Sequence, residues 1–248
     1  MTTFAPAPAR NSTKAILRSQ IRMELILTAR RGEAVVLAMG VPLLVLLGAG
    51  LTHVTNVPGG DRLAYVVPGV LALTVMSTAF TGQAITTGYE RSYGVLKRLG
   101  ASPLSRPGLL FAKTAAVLAL IVVQLLVLAA VGVAVGWRPH AGQLLPALGI
   151  TVLATAAYTG LALFLASVLK PETTTGLATL IYVLMLAAGG IMFAAPGGVS
   201  EFLPLAAHAE ALRATLSHDQ PVPLGSWASL AVWAAVCVVA AARKFRWE

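Results

Sequence analysis

The amino-acid sequence predicts an all-α polytopic membrane protein with six transmembrane helices and both termini on the cytoplasmic side. Four observations predict it. Of 248 residues, 57% are apolar types and only 11% are charged, where an ordinary soluble domain carries roughly 25% charged residues. The mean hydropathy is +0.82, and a water-soluble fold of this size cannot hide so much apolar surface. The apolar residues fall into six stretches, most of them long enough to cross a bilayer. The Lys and Arg residues collect on one side of those stretches. A soluble enzyme and a disordered chain are excluded, and with a single cysteine, Cys237, so is an intrachain disulfide scaffold.

Each element has its own signal. Residues 1–11 are rich in Ala and Pro and read as a mobile tail; residues 12–248 read as one transmembrane domain. Residues 12–31 read as a helix that Ser12 or Thr13 caps. Lys14, Arg18 and Arg22 recur every four residues and form a basic stripe, as on an interfacial helix held by anionic lipid. The amphipathicity is imperfect, because Gln20 and Glu24 fall among the apolar positions. The six spans are expected at about 34–54, 64–88, 109–136, 144–169, 175–195 and 227–242. The first lacks a small-residue cleavage pattern and reads as a retained helix. The last is short for a roughly 30 Å hydrocarbon core and is expected to begin somewhat earlier. Trp137, Trp227 and Trp247 sit at span ends, where indole rings favour the headgroup region.

Positive-inside counting fixes the orientation. With the N-terminus inside, the tail, the first helix, the segment after span 2, the inner end of span 3 (Lys113), the Lys170 turn and the C-terminus hold 15 of the 18 Lys and Arg residues. Only Arg62, Arg138 and Arg213 fall outside. The basic excess, net +9, is therefore the inner rim of a membrane domain and not a nucleic-acid surface. The four His residues, His53, His140, His208 and His218, fall on the outer side. They show no metal-ligand spacing and read as solvated or locally hydrogen-bonded.

The chain carries no visible source of energy. No Asp, Glu, Lys, Arg or His lies mid-span; Glu33, Lys113 and Lys170 are at span ends. A proton relay or charged selectivity ring has little to be built from. Lys113-Thr114 is the only Lys-Thr pair, but Ala112 precedes it and Pro107 stands at the first glycine position of a phosphate-binding loop. Either the protein is passive or another chain drives it.

Two segments are longer than simple turns: residues 89–107 between spans 2 and 3, and residues 196–226 before the last span. In the first, Glu90 to Leu99 suits a short amphipathic helix, with Val95 and Leu99 on one face and Arg91, Lys97 and Arg98 on the other. Gly100 and Pro103 end it. Such a helix, continuous with a span, can act as a lever for a soluble partner; it also suits a plain charged interfacial loop.

Glu90-Arg91, Gly94, Lys97-Arg98-Leu99 and Pro103-Leu104-Ser105-Arg106 resemble the intracellular coupling motif of the ABC-2 family of ATP-binding-cassette membrane subunits. Leu203-Pro204 followed by Glu210-Ala211-Leu212-Arg213 resembles that family's short re-entrant outer helices. The amphipathic first helix and the six-span layout are similar too, so the resemblance covers nearly the whole chain. It implies a permease subunit in the cell membrane, as in a bacterial inner membrane. It implies a second permease copy, identical or related, and two cytosolic ATPase subunits that carry the ATP and magnesium, this chain holding no cofactor of its own. Glu90, Arg91, Tyr93, Gly94, Lys97, Arg98, Leu99, Pro103 and Arg106 are then the candidate contacts with the ATPase. Glu90 alternatively complements a helix dipole, Tyr93 alternatively sits in the interface, and Lys97, Arg98 and Arg106 alternatively meet lipid phosphates.

The compact chain, without a large outer domain, resembles drug and natural-product exporters. A weakly polar path would suit a hydrophobic, amphipathic or lipid-like small molecule. Gln83, Thr86, Thr87, Gln124 and Tyr182 are candidates to line it, interhelical hydrogen bonding being the competing role. Gly82, Gly160, Gly189 and Gly190 permit close helix packing. A passive channel, an ion-coupled carrier and a membrane scaffold remain as alternatives.

Overall fold

The computed structural model describes residues 13–30, 32–51, 61–100, 105–191 and 201–244, and among these every regular element is helical. The tail at 1–11, Pro103, the end of the expected fifth span at 192–195, residues 196–200 of the second long segment and the Arg106 side chain lie outside what is described. In chain order the helices are α1 (Thr13–Arg30), α2 (Gly32–Leu51), α3 (Arg62–Met76), α4 (Gln83–Ser92), α5 (Val95–Gly100), α6 (Arg106–Val135), α7 (Leu144–Val168), α8 (Pro171–Ala188), α9 (Pro204–Leu212) and α10 (Leu224–Lys244). A π-helical stretch, Ser77–Gly82, joins α3 to α4 without a break, so Arg62–Ser92 is one rod. A second π-helical stretch, Arg213–Ser217, extends α9.

Among the described residues, five helices are long and apolar enough to cross a membrane: Arg62–Ser92, Gly108–Val135, Leu144–Val168, Pro171–Ala188 and Leu224–Lys244. They fall on the last five of the expected stretches, and the last begins earlier than 227. Helix α2 covers the first, with an apolar run at Met39–Gly48.

Local chemistry sets the ends. Asp61 Oδ1 accepts from the Ala64 N–H (3.1 Å) and starts α3. Ser105 Oγ accepts from the Gly108 N–H (3.2 Å), and Pro107 occupies the first turn of α6, where a missing N–H costs nothing. Gly136 ends α6 in a left-handed conformation (φ 116°), and the Trp137 N–H returns to the Gly132 carbonyl.

The rod α3–α4 is the centre of the bundle. Every residue from Val66 to Met76 is buried, because the helix is apolar on all sides and has neighbours on all sides. Helices α2, α6, α7 and α9 surround α3, while α7 and α8 flank α4. Helices α7 and α10 pack most closely. A Cβ at Gly160 would come within 2.9 Å of the Cys237 carbonyl carbon and the Val238 nitrogen, so only glycine fits. Helix α8 is the least buried of the five long helices. Helix α9, from the second long segment, is not a surface loop: it packs between α3, α7 and α10 and is almost wholly buried.

Candidate functional site

The segment after α4 differs from the continuous helix expected over Glu90–Leu99. Helix α4 stops at Ser92, and Gly94 adopts a left-handed backbone (φ +70°) before α5 begins. A Cβ at Gly94 would meet nothing within 4 Å. Its requirement is therefore conformational, and the chain turns there because glycine carries no penalty at that φ.

Both sides of this turn are anchored. Before it, Glu90 is buried and its Oε2 lies 2.7 Å from Lys113 Nζ. Lys113 belongs to α6, is 1% exposed, and also meets Glu24 of α1 at 3.3 Å. The Gln20 side chain donates to the same Glu24 carboxylate (3.1 Å). Three helices distant in sequence thus meet on one ammonium group. Arg91 turns the other way, and its guanidinium donates to the carbonyls of Ser167 (2.7 Å) and Ala166 (3.0 Å). Those are end carbonyls of α7, where a cation is favoured by both the dipole and the open acceptors. After the turn, Leu96 is buried against Leu109 of α6, with Ile16 of α1, Leu99 and Leu110 around them.

What remains at the surface is Tyr93 (71% exposed), stacked on Tyr89 at 6.0 Å between ring centroids, together with Lys97 and Arg98. Lys14, Arg18 and Arg22 are exposed along α1. The segment is therefore a short basic and aromatic surface on a base fixed to α1, α4, α6 and α7. Lys113 and Glu24 escaped the sequence reading as site residues. The signal was present: Gln20 and Glu24 break the apolar face of α1, Gln20 binds Glu24, and Glu24 meets Lys113.

The polar residues inside the bundle separate into pairs. Gln83 Nε2 donates to Thr87 Oγ1 one turn on (3.2 Å). Thr78, in the π-helical stretch, donates to Gln124 Oε1 on α6 (2.8 Å), an interhelical bond across the bundle centre. Gln124 is fully buried, Tyr182 of α8 is buried and Thr86 half-buried. Among the described residues no group of three His, Cys, Asp or Glu side chains is placed to hold a metal.

Two residues at the opposite end of the bundle are buried. Arg213 is 6% exposed. It lies 3.8 Å over the Tyr65 ring and donates to the Tyr65 carbonyl (3.1 Å) and to the Gly190 carbonyl. A cation there is satisfied by carbonyls and by the ring face, not by water. Of the two expectations for His208, solvated or hydrogen-bonded, the second holds: on the buried face of α9 its Nε2 lies 3.3 Å from Thr151 Oγ1. Burial holds its imidazole far below the usual histidine range, so it is neutral at physiological pH. The π-helical extension of α9 brings Arg213 into line with α3.

The family model described as ABC-2 family transporter protein matches residues 51–243, which is most of the chain. No curated protein matches it. The chain belongs to the ABC-2 transporter family and is a multi-pass membrane permease.

Proposed function

We propose that this ABC-2 family permease forms the membrane path of an exporter and is driven by separate cytosolic ATPase subunits gripping the segment around Gly94. The carrying observation is the anchored turn. Tyr93, Lys97 and Arg98 are presented outward, while Glu90, Arg91 and Leu96 fix the same segment to four helices. A push on the exposed surface is then transmitted to α4, α6 and α7 together, which is what coupling between a nucleotide site and a membrane path needs. In this reading Tyr93, Gly94, Lys97, Arg98, Leu99, Pro103 and Arg106 meet the ATPase. Glu90 and Arg91 act from beneath. Helix α2 supplies a sixth span, the basic end is cytoplasmic, and the complex sits in a bacterial cell membrane. Two permease copies pair with two ATPases that hold ATP and magnesium; the little-buried α8 offers the apolar face for that pairing. The cargo is a hydrophobic or amphipathic small molecule, in keeping with the uncharged amides and hydroxyls of Thr78, Gln83, Thr87 and Gln124 inside the bundle, apart from the buried charges of Lys113, Glu24, Glu90 and Arg213.

The test is purification in mild detergent followed by reconstitution. A soluble ATPase should co-purify with the tagged chain. Reversing both exposed charges, Lys97→Glu with Arg98→Glu, should leave insertion intact. It should lower cargo-stimulated ATP turnover by at least about tenfold, since like-charge contacts cost several kcal/mol and 1.4 kcal/mol is tenfold. Unchanged stimulation in that variant, or transport driven by an ion gradient with no ATPase bound, would defeat the reading and favour a carrier.

A further inference from the structure

A cavity of about 320 Å³ opens between α6 and α7 at the end opposite α5. Its floor includes Leu71 of α3 and Leu212 and Leu216 of the α9 region; its walls include Leu125 of α6 and Leu148 of α7. It runs from the α6–α7 turn at Trp137–Ala141 to the level of Val122 and Thr151. At 1.5 Å per residue, Leu144 to Thr151 alone gives it roughly 10 Å along the span. Apart from the exposed His140 ring, the polar side chains that border it are already engaged. Trp137 Nε1 donates to Ser217 Oγ (3.3 Å), Thr151 Oγ1 to the Ala147 carbonyl (2.7 Å), and the His140 N–H to the Leu216 carbonyl (2.8 Å). Water has no partners inside, and an apolar cavity of this kind stays dry. A polar cargo has none either.

We propose that this groove is a site for one acyl chain of a phospholipid from the leaflet at the α6–α7 turn. Two observations select that occupant. The groove is continuous with the apolar surface of the spans: Val122, Leu126 and Leu148 line it and are also exposed outward, beside Val123 and Val127. At its mouth stands exposed Arg138, between the lining residues Trp137 and Pro139, placed for a headgroup phosphate. Asp219 lies against Gly142 on the same turn, placed for the ammonium of a zwitterionic headgroup. A second copy of the chain is not selected, because the least buried helix, α8, contributes nothing to the lining. The chain would hold the α6–α7 pair against α9, with its headgroup level with Trp137. This assignment needs the membrane but not the ATPase, so it stands or falls apart from the coupling mechanism.

The experiment is photolabelling of the full-length protein, with whatever subunits co-purify, in vesicles of phosphatidylethanolamine and phosphatidylglycerol. The vesicles carry a trace of either lipid with a diazirine in its acyl chain. Label is expected on Leu212 and Leu216, which are buried and line the groove. Filling the groove by Ala147→Phe, or from the other wall by Ala129→Phe, should cut that label at least five-fold. Label on lipid-facing Val236 of α10 should not change. Arg138→Ala should also reduce it, and comparing the two diazirine lipids identifies the preferred headgroup. Absence of label at Leu212 and Leu216 in the parent protein, or label indifferent to both filling variants, overturns the site. So does a disulfide between copies through Leu126→Cys, which would place protein there. Equal labelling by a diazirine fatty acid with no effect of Arg138→Ala overturns the phospholipid assignment.

Discussion

Lys113 shows what a single residue does here. Counted along the chain it is one more cation on the inner rim; folded, it is the buried partner of Glu24 and Glu90, 89 and 23 positions away. Replacing it by Met would leave two carboxylates facing each other away from water. Breaking a buried pair from one side costs about 3–5 kcal/mol. Lys113→Met should therefore lower the thermal midpoint in detergent markedly and loosen α1. Adding Glu24→Gln and Glu90→Gln should restore much of the loss, because removing all the charges together avoids the uncompensated ones. A midpoint for Lys113→Met equal to the parent's would mean that the ammonium holds nothing together. Arg213 and His208 follow the same logic. Their residue types were readable, but their burial was not, since it depends on α9 packing inward.

At the scale of elements, glycines separate by what lies against them. Gly160 allows α7 and α10 to touch backbone to backbone. Gly160→Val must push the helices apart, and overpacking of this kind costs about 1–3 kcal/mol. Gly176 of α8, with open space around it, is the control: Gly176→Ala should hold or slightly raise stability. Comparing both midpoints checks the α7–α10 contact; equal tolerance at the two sites would deny it. Helix ends rest on local chemistry, with Asp61, Ser105 and Pro107, and Gly136 as caps, and of these the end of the third span at Gly136 was legible in the sequence. The break at Gly94 was not. A glycine within a helical pattern is compatible with a costly interior position or with a left-handed stop, and only the packing of Leu96 against Leu109 selects the stop.

For the whole molecule, the ends of the bundle differ in charge, and labelling tests the sidedness that follows from it. In a Cys237→Ser background, a membrane-impermeant maleimide should reach exposed Gln220→Cys in intact cells and Lys244→Cys only after permeabilisation. The reverse pattern would invert the orientation. The sequence alone determined the membrane class, the positions of the apolar helices, the excess of charge at one end and the location of the segment around Gly94. These rest on composition, on hydrophobic run length and on neighbours within a turn or two. Only the tertiary structure decided which carboxylates meet Lys113, which carbonyls receive Arg91 and Arg213, and that α6 and α7 leave a groove between them. Those contacts depend on how far each helix is rotated and tilted against partners remote in the chain. In lipid, where apolar burial does not favour one helix pairing over another, close packing and polar contacts fix that geometry.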